Sequence, residues 1–384
     1  MKVCFWGNIA HTLKGETDGG GELQIGLLAK ALVKGGNEVV IIDYNTREDF
    51  VTEDGIKVIQ INDWEKGIPI LRYVTNRIPM LYRTLRDQRA DVYYCRIREF
   101  RHIIAYWAAR KVKAKFILGM ASDLDVMSFR TRIKNYYVPQ FRSSNFFWWL
   151  SSGIINEFVF PWLLRKSDAV FVQHEGQKKI LNQKGIRSIL FSNLIDLSQI
   201  PEKSNGKPAD YVYVGSLDRR KGFGDFFNVI EKAPGLSFKV VGQPRDKPAE
   251  EYFEKLRSYP NVKLLGKLPH ADTIAEIATS KALVSTSPME GFPNIFIEAW
   301  ACGIPVYSLY VDPGGIIARE CLGKVANGDI DLLISMMAKN NVEDGFSSKA
   351  RSFVFRNFGL SGEKIDWISS LFKSIVSENG KKKE

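Results

Sequence analysis

Cysteine and histidine are scarce in this chain of 384 residues, which has four of each. The cysteines form no close pair of the kind that a zinc site or a disulfide framework requires. They are Cys4, Cys95, Cys302 and Cys321. The histidines are scattered, and none has a second metal ligand at binding spacing. They are His11, His102, His174 and His270. The sequence therefore excludes a recognisable zinc centre and favours a reducing, cytoplasmic setting without a bound metal.

Long apolar runs are also missing. No segment approaches the roughly 20 consecutive apolar residues that a helix needs to cross a bilayer. Residues 1–8 pass from one short apolar strand into a polar loop, so they lack the apolar core of a secretory signal. Short-period repeats, a Ser-His-Asp order and a nucleophile elbow are absent as well. From these absences we expect neither a solenoid nor a serine hydrolase, and we expect the protein to stay inside the cell.

Positive charge is in excess, with a net charge of +11 at pH 7. Such a charge attracts nucleotide diphosphates, anionic lipid surfaces and nucleic acids alike. Basic residues crowd the segment from Arg72 to Lys115 and occur again at Arg219, Arg220 and Lys221. Because the cations neither interleave with exposed aromatics nor lie on a recognised motif, we expect no nucleic-acid partner. The first group is also explained by an ordinary solvated surface.

Apolar strand patterns alternate with helical spacing along the chain. A buried strand over 2–7, helical spacing over 22–33 and a second strand over 38–43 form a βαβ unit. Further buried strands are predicted in the first half. They lie over 56–61, 92–95, 116–118 and 169–173. Strands separated by helices indicate a parallel sheet that is covered on both faces.

The same alternation restarts after a polar connector over 200–210. A chain of this length exceeds the usual size of one hydrophobic core, so two domains are expected. The sequence predicts an α/β protein of two doubly wound, Rossmann-like domains, 1–200 and 201–357, that face a central cleft at the carboxyl ends of their strands. The last segment, 358–384, contains an amphipathic helix over 362–377.

The stretch over 285–306 carries the most chemical information. It reads as a strand end, a tight loop, a helix, a glycine stop and another strand, with Pro293 suited to the first helical position. The loop Gly291, Phe292, Pro293 and Asn294 surrounds the positive end of this helix, and its free N–H groups, which Pro293 lacks, make a ready site for a diphosphate. Glu290 lies before the helix and Glu298 about one turn inside it. One carboxylate can therefore reach a sugar while the other reaches a ribose.

These residues resemble the E-x7-E signature of the retaining family-four glycosyltransferases of GT-B fold, and the resemblance extends over nearly the whole chain. It implies that Glu290 contacts the donor sugar hydroxyls, that the loop 291–294 holds the phosphates and that Glu298 binds the ribose. A capped structural helix with solvated acids is the plainer interpretation. The resemblance also implies that the C-terminal helix crosses back to the first domain and that no metal is needed.

A second candidate loop begins with Gly215 and contains three consecutive cations, Arg219, Arg220 and Lys221. A cation beside the leaving diphosphate stabilises the charge that develops as the glycosidic bond breaks. In the resembling family this loop reads Gly-Arg and then Lys-Gly, so the Lys aligns with Lys221, whereas Ser216 replaces the usual Arg. Arg219 or Arg220 is expected to supply the missing charge, and Lys221 with Arg219 is assigned to the donor diphosphate. A solvated turn is the other interpretation of this loop.

Two sets of residues in the first domain are further candidates. Gly19, Gly20 and Gly21 would let a backbone loop approach a donor phosphate or an acceptor closely, or they form a plain entry to a helix. Asp123 follows a strand, where many relatives carry a His-Asp pair and this chain has Ser122-Asp123. Asp123 is expected to orient the acceptor or receive its proton. A helix-capping role is the alternative.

The segment 141–164 is rich in aromatic residues and has cations near its ends. Contact with an anionic membrane and ordinary core packing explain it equally well.

Together these features predict transfer of a hexosyl group, with retention, from a UDP- or GDP-sugar to a hydroxyl acceptor. The acceptor is a glycan or lipid-linked glycan in cell-envelope polysaccharide, capsule or lipopolysaccharide biosynthesis. No cofactor other than the donor is expected, and the protein is cytoplasmic or peripheral on the inner face of the membrane. The alternatives are a nucleotide-sugar epimerase of the same fold and a non-catalytic, two-domain sugar-binding protein.

Overall fold

The computed structural model describes residues 1–13, 19–46, 48–61, 64–68, 71–133, 146–201 and 210–378, with the backbone alone over 146–152. The chain divides into two compact units, one of Met1–Ser192 with Ser361–Glu384 and one of Asn193–Leu360. The second unit begins before the predicted boundary at residue 200, because Ile195 pairs with the far end of that unit. Its amide donates to the Phe358 carbonyl and its carbonyl accepts from Leu360.

The first unit contains an eight-stranded sheet in the order β3-β4-β2-β1-β5-β6-β7-β8. The β3–β4 pair is antiparallel, and the other neighbours are parallel. The strands are β1 (Lys2–Trp6), β2 (Glu38–Asp43), β3 (Phe50–Val51), β4 (Lys57–Gln60), β5 (Val92–Arg96), β6 (Lys115–Gly119), β7 (Ala169–Val172) and β8 (Ile189–Leu190). Chain order reverses between β1 and β5, which places a crevice at their carboxyl ends.

Helices of the first unit connect these strands. They are α1 (Ala10–Leu13), α2 (Gly20–Lys34), α3 (Ile78–Asp87), α4 (His102–Lys111), α5 (Phe129–Arg132), α6 (Phe146–Lys166) and α7 (Glu175–Gln183). The C-terminal helix Gly362–Ser377 belongs to the same unit. It packs against α2, where the Ser369 hydroxyl donates to the Gly35 carbonyl and accepts from the Asn37 side chain.

The core of the first unit explains why its strands read as continuous apolar runs. Val39, Val40, Ile41 and Ile42 of β2 are all buried, as expected for a parallel strand that is covered on both faces. The helix α6 divides its side chains between two environments. Phe160 and Leu163 are fully buried in the core, whereas Phe158 is 76% exposed.

The second unit contains a six-stranded sheet in the order β11-β10-β9-β12-β13-β14. Its strand pairs are all parallel. The strands are β9 (Asp210–Val214), β10 (Ser237–Val241), β11 (Val262–Gly266), β12 (Ala282–Ser285), β13 (Val306–Ser308) and β14 (Gly323–Val325). Here chain order reverses between β9 and β12. The carboxyl ends of these two strands therefore form the crevice of this sheet.

Helices cover the second sheet as well. They are α8 (Phe223–Lys232), α9 (Lys247–Leu256), α10 (His270–Ala278), α11 (Asn294–Ala301), α12 (Ile316–Arg319), α13 (Ile330–Lys339) and α14 (Phe346–Asn357), and the C-terminal helix Gly362–Ser377 is α15. Trp300 of α11 is fully buried, and its indole Nε1 donates to the Leu322 carbonyl at 2.9 Å. This bond anchors α11 in the core, as a buried indole N–H requires a partner.

The predicted pair of doubly wound sheets is confirmed. Among the described residues, no helix has both the length and the apolar character that a membrane span requires.

Candidate functional site

Two loops meet at the crevice of the second sheet. The loop after β9 contains Lys221 and the loop after β12 contains Glu290, and the Lys221 ammonium Nζ lies 2.5 Å from Glu290 Oε1. Both side chains are partly exposed, with 35% of Lys221 and 19% of Glu290 accessible. The structure thus brings together two of the residues predicted from sequence. A cation and a carboxylate at one solvent-accessible point can bind a phosphate and a sugar hydroxyl, respectively.

The two loops are also joined through their backbones. Gly222 adopts the left-handed conformation with φ 67°, and a Cβ at this position would lie 2.0 Å from the carbonyl oxygen of Thr286. In the other direction, the Thr286 hydroxyl donates to the Gly222 carbonyl at 2.8 Å. Gly215, at the start of the loop, has φ 154°, a backbone conformation that also favours glycine. The close approach of the loops therefore depends on glycine at Gly222.

Asp218 fixes the conformation of the cationic loop. Its carboxylate accepts from the Lys221 amide at 3.0 Å and from the Ser216 hydroxyl at 3.0 Å. The same carboxylate pairs with the Arg220 guanidinium at 2.9 Å. Arg219 has an exposed side chain, and its amide donates to Asp246 Oδ2 at 2.9 Å. Ser216 and Arg220 thus contact Asp218, whereas Lys221 contacts Glu290.

The loop 291–294 precedes the helix α11. Pro293 is the N-cap with ψ 124°, so the prediction of Pro293 at the first helical position is wrong by one residue, and the helix begins at Asn294 because that ψ is extended. Phe292 contributes its ring to the core against Trp300 and Phe358. Only its backbone is therefore available to a ligand. Gly291 leads into this turn, and the first amides of α11 point toward the loop, as at any helix N-terminus.

Asn193 holds this loop and was not predicted. Its side-chain amide donates to the Phe292 carbonyl at 2.9 Å and to Asn294 Oδ1 at 2.7 Å. A buried amide that ties two points of one turn restricts the directions of the turn's N–H groups. No sequence signal could locate this contact, because 99 positions separate Asn193 from Phe292.

Glu298 is buried, and its environment differs from the simple expectation of a carboxylate facing ribose. His270 Nε2, at the first position of α10, lies 2.9 Å from Glu298 Oε1. This hydrogen bond with the carboxylate raises the pKa of His270. The second carboxylate oxygen, Oε2, accepts no hydrogen bond from the described part of the chain. His270 therefore fixes the orientation of Glu298 while leaving one oxygen for a ligand.

Asp123 lies at the carboxyl end of the first sheet, in a 3-10 turn after β6. The capping role that sequence left open belongs to its neighbours, since Ser122 accepts from the Leu124 amide and Asp125 accepts from the Ala121 and Ser122 amides. Asp123 Oδ1 instead lies 2.9 Å from His174 Nε2 and accepts from the side-chain Nε2 of Gln177 at 3.0 Å.

His174 thus supplies an imidazole where the sequence has Ser122 in place of the expected histidine. Its side chain is 7% exposed and comes from the turn after β7. Local spacing of histidines in the sequence cannot reveal this contact, because 51 positions separate His174 from Asp123. The arrangement can orient Asp123 and stabilise its negative charge.

The three candidate glycines, Gly19, Gly20 and Gly21, lie at the start of a helix and not in a free loop. Gly19 is the N-cap of α2, and Gly20 and Gly21 lie in its first turn, so the prediction of a loop at these two positions is wrong. The helix starts early because Leu23 donates back to the Gly19 carbonyl. A Cβ at Gly21 would lie 3.0 Å from Ile97 Cδ1. Thr17 and Asp18, directly before these glycines, lie outside the described residues.

Comparisons with known proteins agree with this geometry. Residues 196–315, which span both loops, match the model of the family "Glycosyl transferases group 1". A segment of 110 residues is 34% identical to one subunit of the human phosphatidylinositol N-acetylglucosaminyltransferase, covering 27% of this chain and 22% of that protein. The chain thus spans less than a quarter of the length of this curated relative.

Solved structures match over almost the entire chain. The sucrose-phosphate synthase of Thermosynechococcus elongatus is 16% identical, with a TM-score of 0.74 over 98% of this chain and 99% of that one. Anabaena HepE in complex with UDP and glucose is 15% identical, with a TM-score of 0.67 over 98% of this chain and 100% of that one. The fold is GT-B. Residues 196–315 are similar to the glycosyl transferases group 1 family, which confirms the resemblance to GT-B glycosyltransferases recognised in the sequence.

Proposed function

We propose that this protein is a retaining glycosyltransferase that moves a hexosyl group from a UDP- or GDP-sugar to a hydroxyl acceptor. The observation that carries the proposal is the 2.5 Å contact between Lys221 and Glu290 in the crevice of the second sheet. That crevice is where open α/β sheets bind nucleotides. The family match over residues 196–315 and the UDP and glucose bound to HepE support a nucleotide-sugar donor.

The donor makes contact with four groups of residues in this proposal. The diphosphate lies at the N-terminus of α11, against Gly291 and Asn294, with Lys221 beside it. Glu290 accepts hydrogen bonds from sugar hydroxyls, and the free oxygen of Glu298 accepts one from the ribose. Anions are stabilised at helix N-termini by unpaired N–H groups and by the helix dipole.

In the reaction, the bond between the anomeric carbon and the diphosphate oxygen breaks, and its electron pair leaves with the diphosphate. The acceptor hydroxyl oxygen forms the new bond to the same carbon and loses its proton to a base, for which Asp123 with His174 is the candidate. Lys221 stabilises the transition state more than the ground state, because charge on the diphosphate grows as the bond breaks. Cations and helix amides thereby take the role that a metal has in other transferases.

The acceptor is proposed to be a glycan or lipid-linked glycan of the cell envelope, held by the first unit. Helix α6 supports a peripheral contact with an anionic membrane on the cytoplasmic side. Phe158, Ile154 and Ile155 expose 76%, 51% and 41% of their surfaces, and Arg165 and Lys166 follow at the end of the helix. Exposed apolar side chains near cations are typical of helices that lie in a membrane interface.

A panel of UDP- and GDP-sugars tests the donor assignment. Each is scored by thermal shift and by slow release of nucleotide in the absence of acceptor, with Glu290→Ala and Lys221→Ala beside the wild type. We expect one donor to raise the midpoint of unfolding of the wild type and to be hydrolysed slowly, and both variants to lose these effects. If both variants bind and turn over the best donor as well as the wild type does, the assignment is wrong.

A further inference from the structure

We propose that the first unit contains a saccharide-binding subsite at the carboxyl ends of β2 and β4, separate from the residues assigned above. The inference rests on the proposed function, since it names the chemistry of part of the acceptor. The subsite is a cavity of about 600 Å³, which falls in the size range of small-molecule sites. It is lined by Tyr44, Asn45, Gln60, Ile61, Trp64, Glu65, Arg77 and Arg101.

One wall of the cavity is aromatic. The rings of Tyr44 and Trp64 stack with centroids 5.2 Å apart and an interplanar angle of 21°. The Arg77 guanidinium carbon lies 5.2 Å from the centroid of the Trp64 ring. Aromatic side chains present an apolar face beside a polar edge, which suits a ligand with both apolar and polar faces. A sugar ring has such faces, since its C–H groups pack on an aromatic ring while its hydroxyls point outward.

The polar groups of the cavity are held in fixed positions. Arg77 Nη2 contacts Glu65 Oε1 at 2.5 Å, Arg77 Nε donates to the Trp64 carbonyl at 3.0 Å, and Arg72 Nη1 contacts Glu65 Oε2 at 2.7 Å. Arg77 ends a π-helical turn, Tyr73–Arg77, a rare geometry that occurs frequently at functional sites. The Arg77 guanidinium, the Glu65 carboxylate and the side-chain amides of Asn45 and Gln60 are planar groups that each present two adjacent polar atoms. Such pairs match the adjacent hydroxyls of a sugar.

The charge balance favours a neutral sugar over a phosphate. Glu65 contacts both Arg72 and Arg77, and Arg101 pairs with Glu99 at 2.9 Å. A phosphate placed here would lie beside the Glu65 carboxylate, which repels it. Hydroxyls can donate to the same carboxylate and accept from the remaining guanidinium N–H groups. We therefore assign the cavity to a neutral residue of an acceptor glycan.

Saturation-transfer NMR tests the assignment with maltose, cellobiose, diacetylchitobiose and lactose, each at about 10 mM, well above a millimolar dissociation constant. UDP and GDP are measured in parallel. The variants are Trp64→Ala, which removes the wall, and Asn45→Trp, which fills the cavity from an exposed position and keeps Trp64. Trp107→Ala removes an exposed tryptophan of the same unit that does not line the cavity, and it is the matched control.

We expect at least one disaccharide to bind the wild type and Trp107→Ala, and to bind both cavity variants about tenfold more weakly. The nucleotide that binds the wild type, UDP or GDP, should bind all four proteins alike. The assignment is overturned if no disaccharide binds the wild type, if both cavity variants bind as the wild type does, or if inorganic pyrophosphate displaces the bound disaccharide. Failure of the wild type to bind either UDP or GDP would instead contradict the proposed function, which keeps the two failures distinguishable.

Discussion

The Lys221 ammonium and the Glu290 carboxylate lie 2.5 Å apart although 69 positions separate them in the chain. They meet because β9 and β12 are adjacent strands, paired in parallel through Tyr211 with Ala282 and Val212 with Leu283. Parallel neighbours end at the same edge of the sheet, so the loops that follow them emerge together. The topology of the second unit thus brings the cation of one loop to the acid of the other.

This ion pair is partly exposed, and such pairs contribute little to folding stability. Its significance is positional, because each side chain keeps the other directed into the crevice. Removing either one leaves its partner without that constraint. Effects of the two substitutions on donor turnover are therefore expected to be strongly non-additive, as in other groups that act as a unit.

Gly222→Ala is expected to disrupt the joined loops. The left-handed backbone and the approach of Thr286 O to 2.0 Å from the added Cβ both oppose a side chain. We expect a loss of about 1 to 3 kcal/mol in the free energy of unfolding, together with weaker donor binding. Urea denaturation and nucleotide titration measure the two effects. Gly235→Ala is the control, since a Cβ there meets nothing within 4 Å. Equal stability and equal donor affinity in both variants would contradict the role of Gly222.

The ion pair of His270 with Glu298 predicts a pH dependence. Because the hydrogen bond with Glu298 raises the pKa of His270 in the folded state above its ordinary value of 6.5, the pair stabilises the fold below that value and loses its effect as pH rises through the raised pKa. His270→Gln should therefore lower the free energy of unfolding by about 1 kcal/mol near pH 6 and by much less near pH 9.

Chemical denaturation of the wild type and His270→Gln at both pH values measures that difference. His11→Gln is the control. It measures how replacing a histidine elsewhere in the fold changes the free energy of unfolding at each pH. A difference between wild type and His270→Gln that grows with pH would show that the ion pair is not the cause.

Asp123→Asn tests the acceptor side. Loss of the negative charge beside His174 should lower kcat/KM for the acceptor by about 10²-fold or more, the usual contribution of an acid–base group, and should leave affinity for UDP unchanged. Steady-state kinetics with varied acceptor and a separate UDP titration measure the two quantities. Asp329→Asn is the control, since Asp329 is an exposed cap of α13. If the variant also loses affinity for UDP, the assignment of Asp123 to the acceptor side is contradicted.

The exposed face of α6 predicts membrane binding. Phe158→Glu should lower the partition coefficient of the protein onto vesicles of phosphatidylglycerol and phosphatidylcholine about tenfold, because it removes a phenylalanine from the apolar face. Sedimentation with the vesicles measures this coefficient. Phe355→Glu, at a position 58% exposed in the second unit, is the matched control. The membrane proposal fails if both variants sediment with vesicles as the wild type does.

Sequence patterns predicted the larger elements well. The strand Glu38–Asp43 and the helix Gly362–Ser377 have the predicted bounds, since each carries several periods of apolar spacing. The strands Phe50–Val51, Ile189–Leu190 and Gly323–Val325 were not predicted. Segments of two or three residues hold too little of a repeating pattern to be recognised, and only their pairing with a neighbouring strand defines them.

The residues of the candidate site likewise divide into those that the sequence could locate and those that only the fold reveals. Glu290, Lys221 and Glu298 could be located because glycines, prolines and adjacent strands mark their loops. Three other contacts are made by the fold alone, namely Asn193 with the loop 291–294, His270 with Glu298 and His174 with Asp123. A single sequence gives no signal for such contacts. The contacts of Ser216 and Arg220 with Asp218 were likewise not evident from the sequence.

The most direct test of the donor assignment is a phosphorus and proton NMR time course of the best nucleotide sugar with the enzyme alone. We predict slow appearance of free nucleoside diphosphate and free sugar in equal amounts, slowed about 10²-fold or more in Lys221→Ala and in Glu290→Ala. Appearance of an isomerised sugar still attached to its diphosphate, or equal rates in the wild type and both variants, would contradict the account.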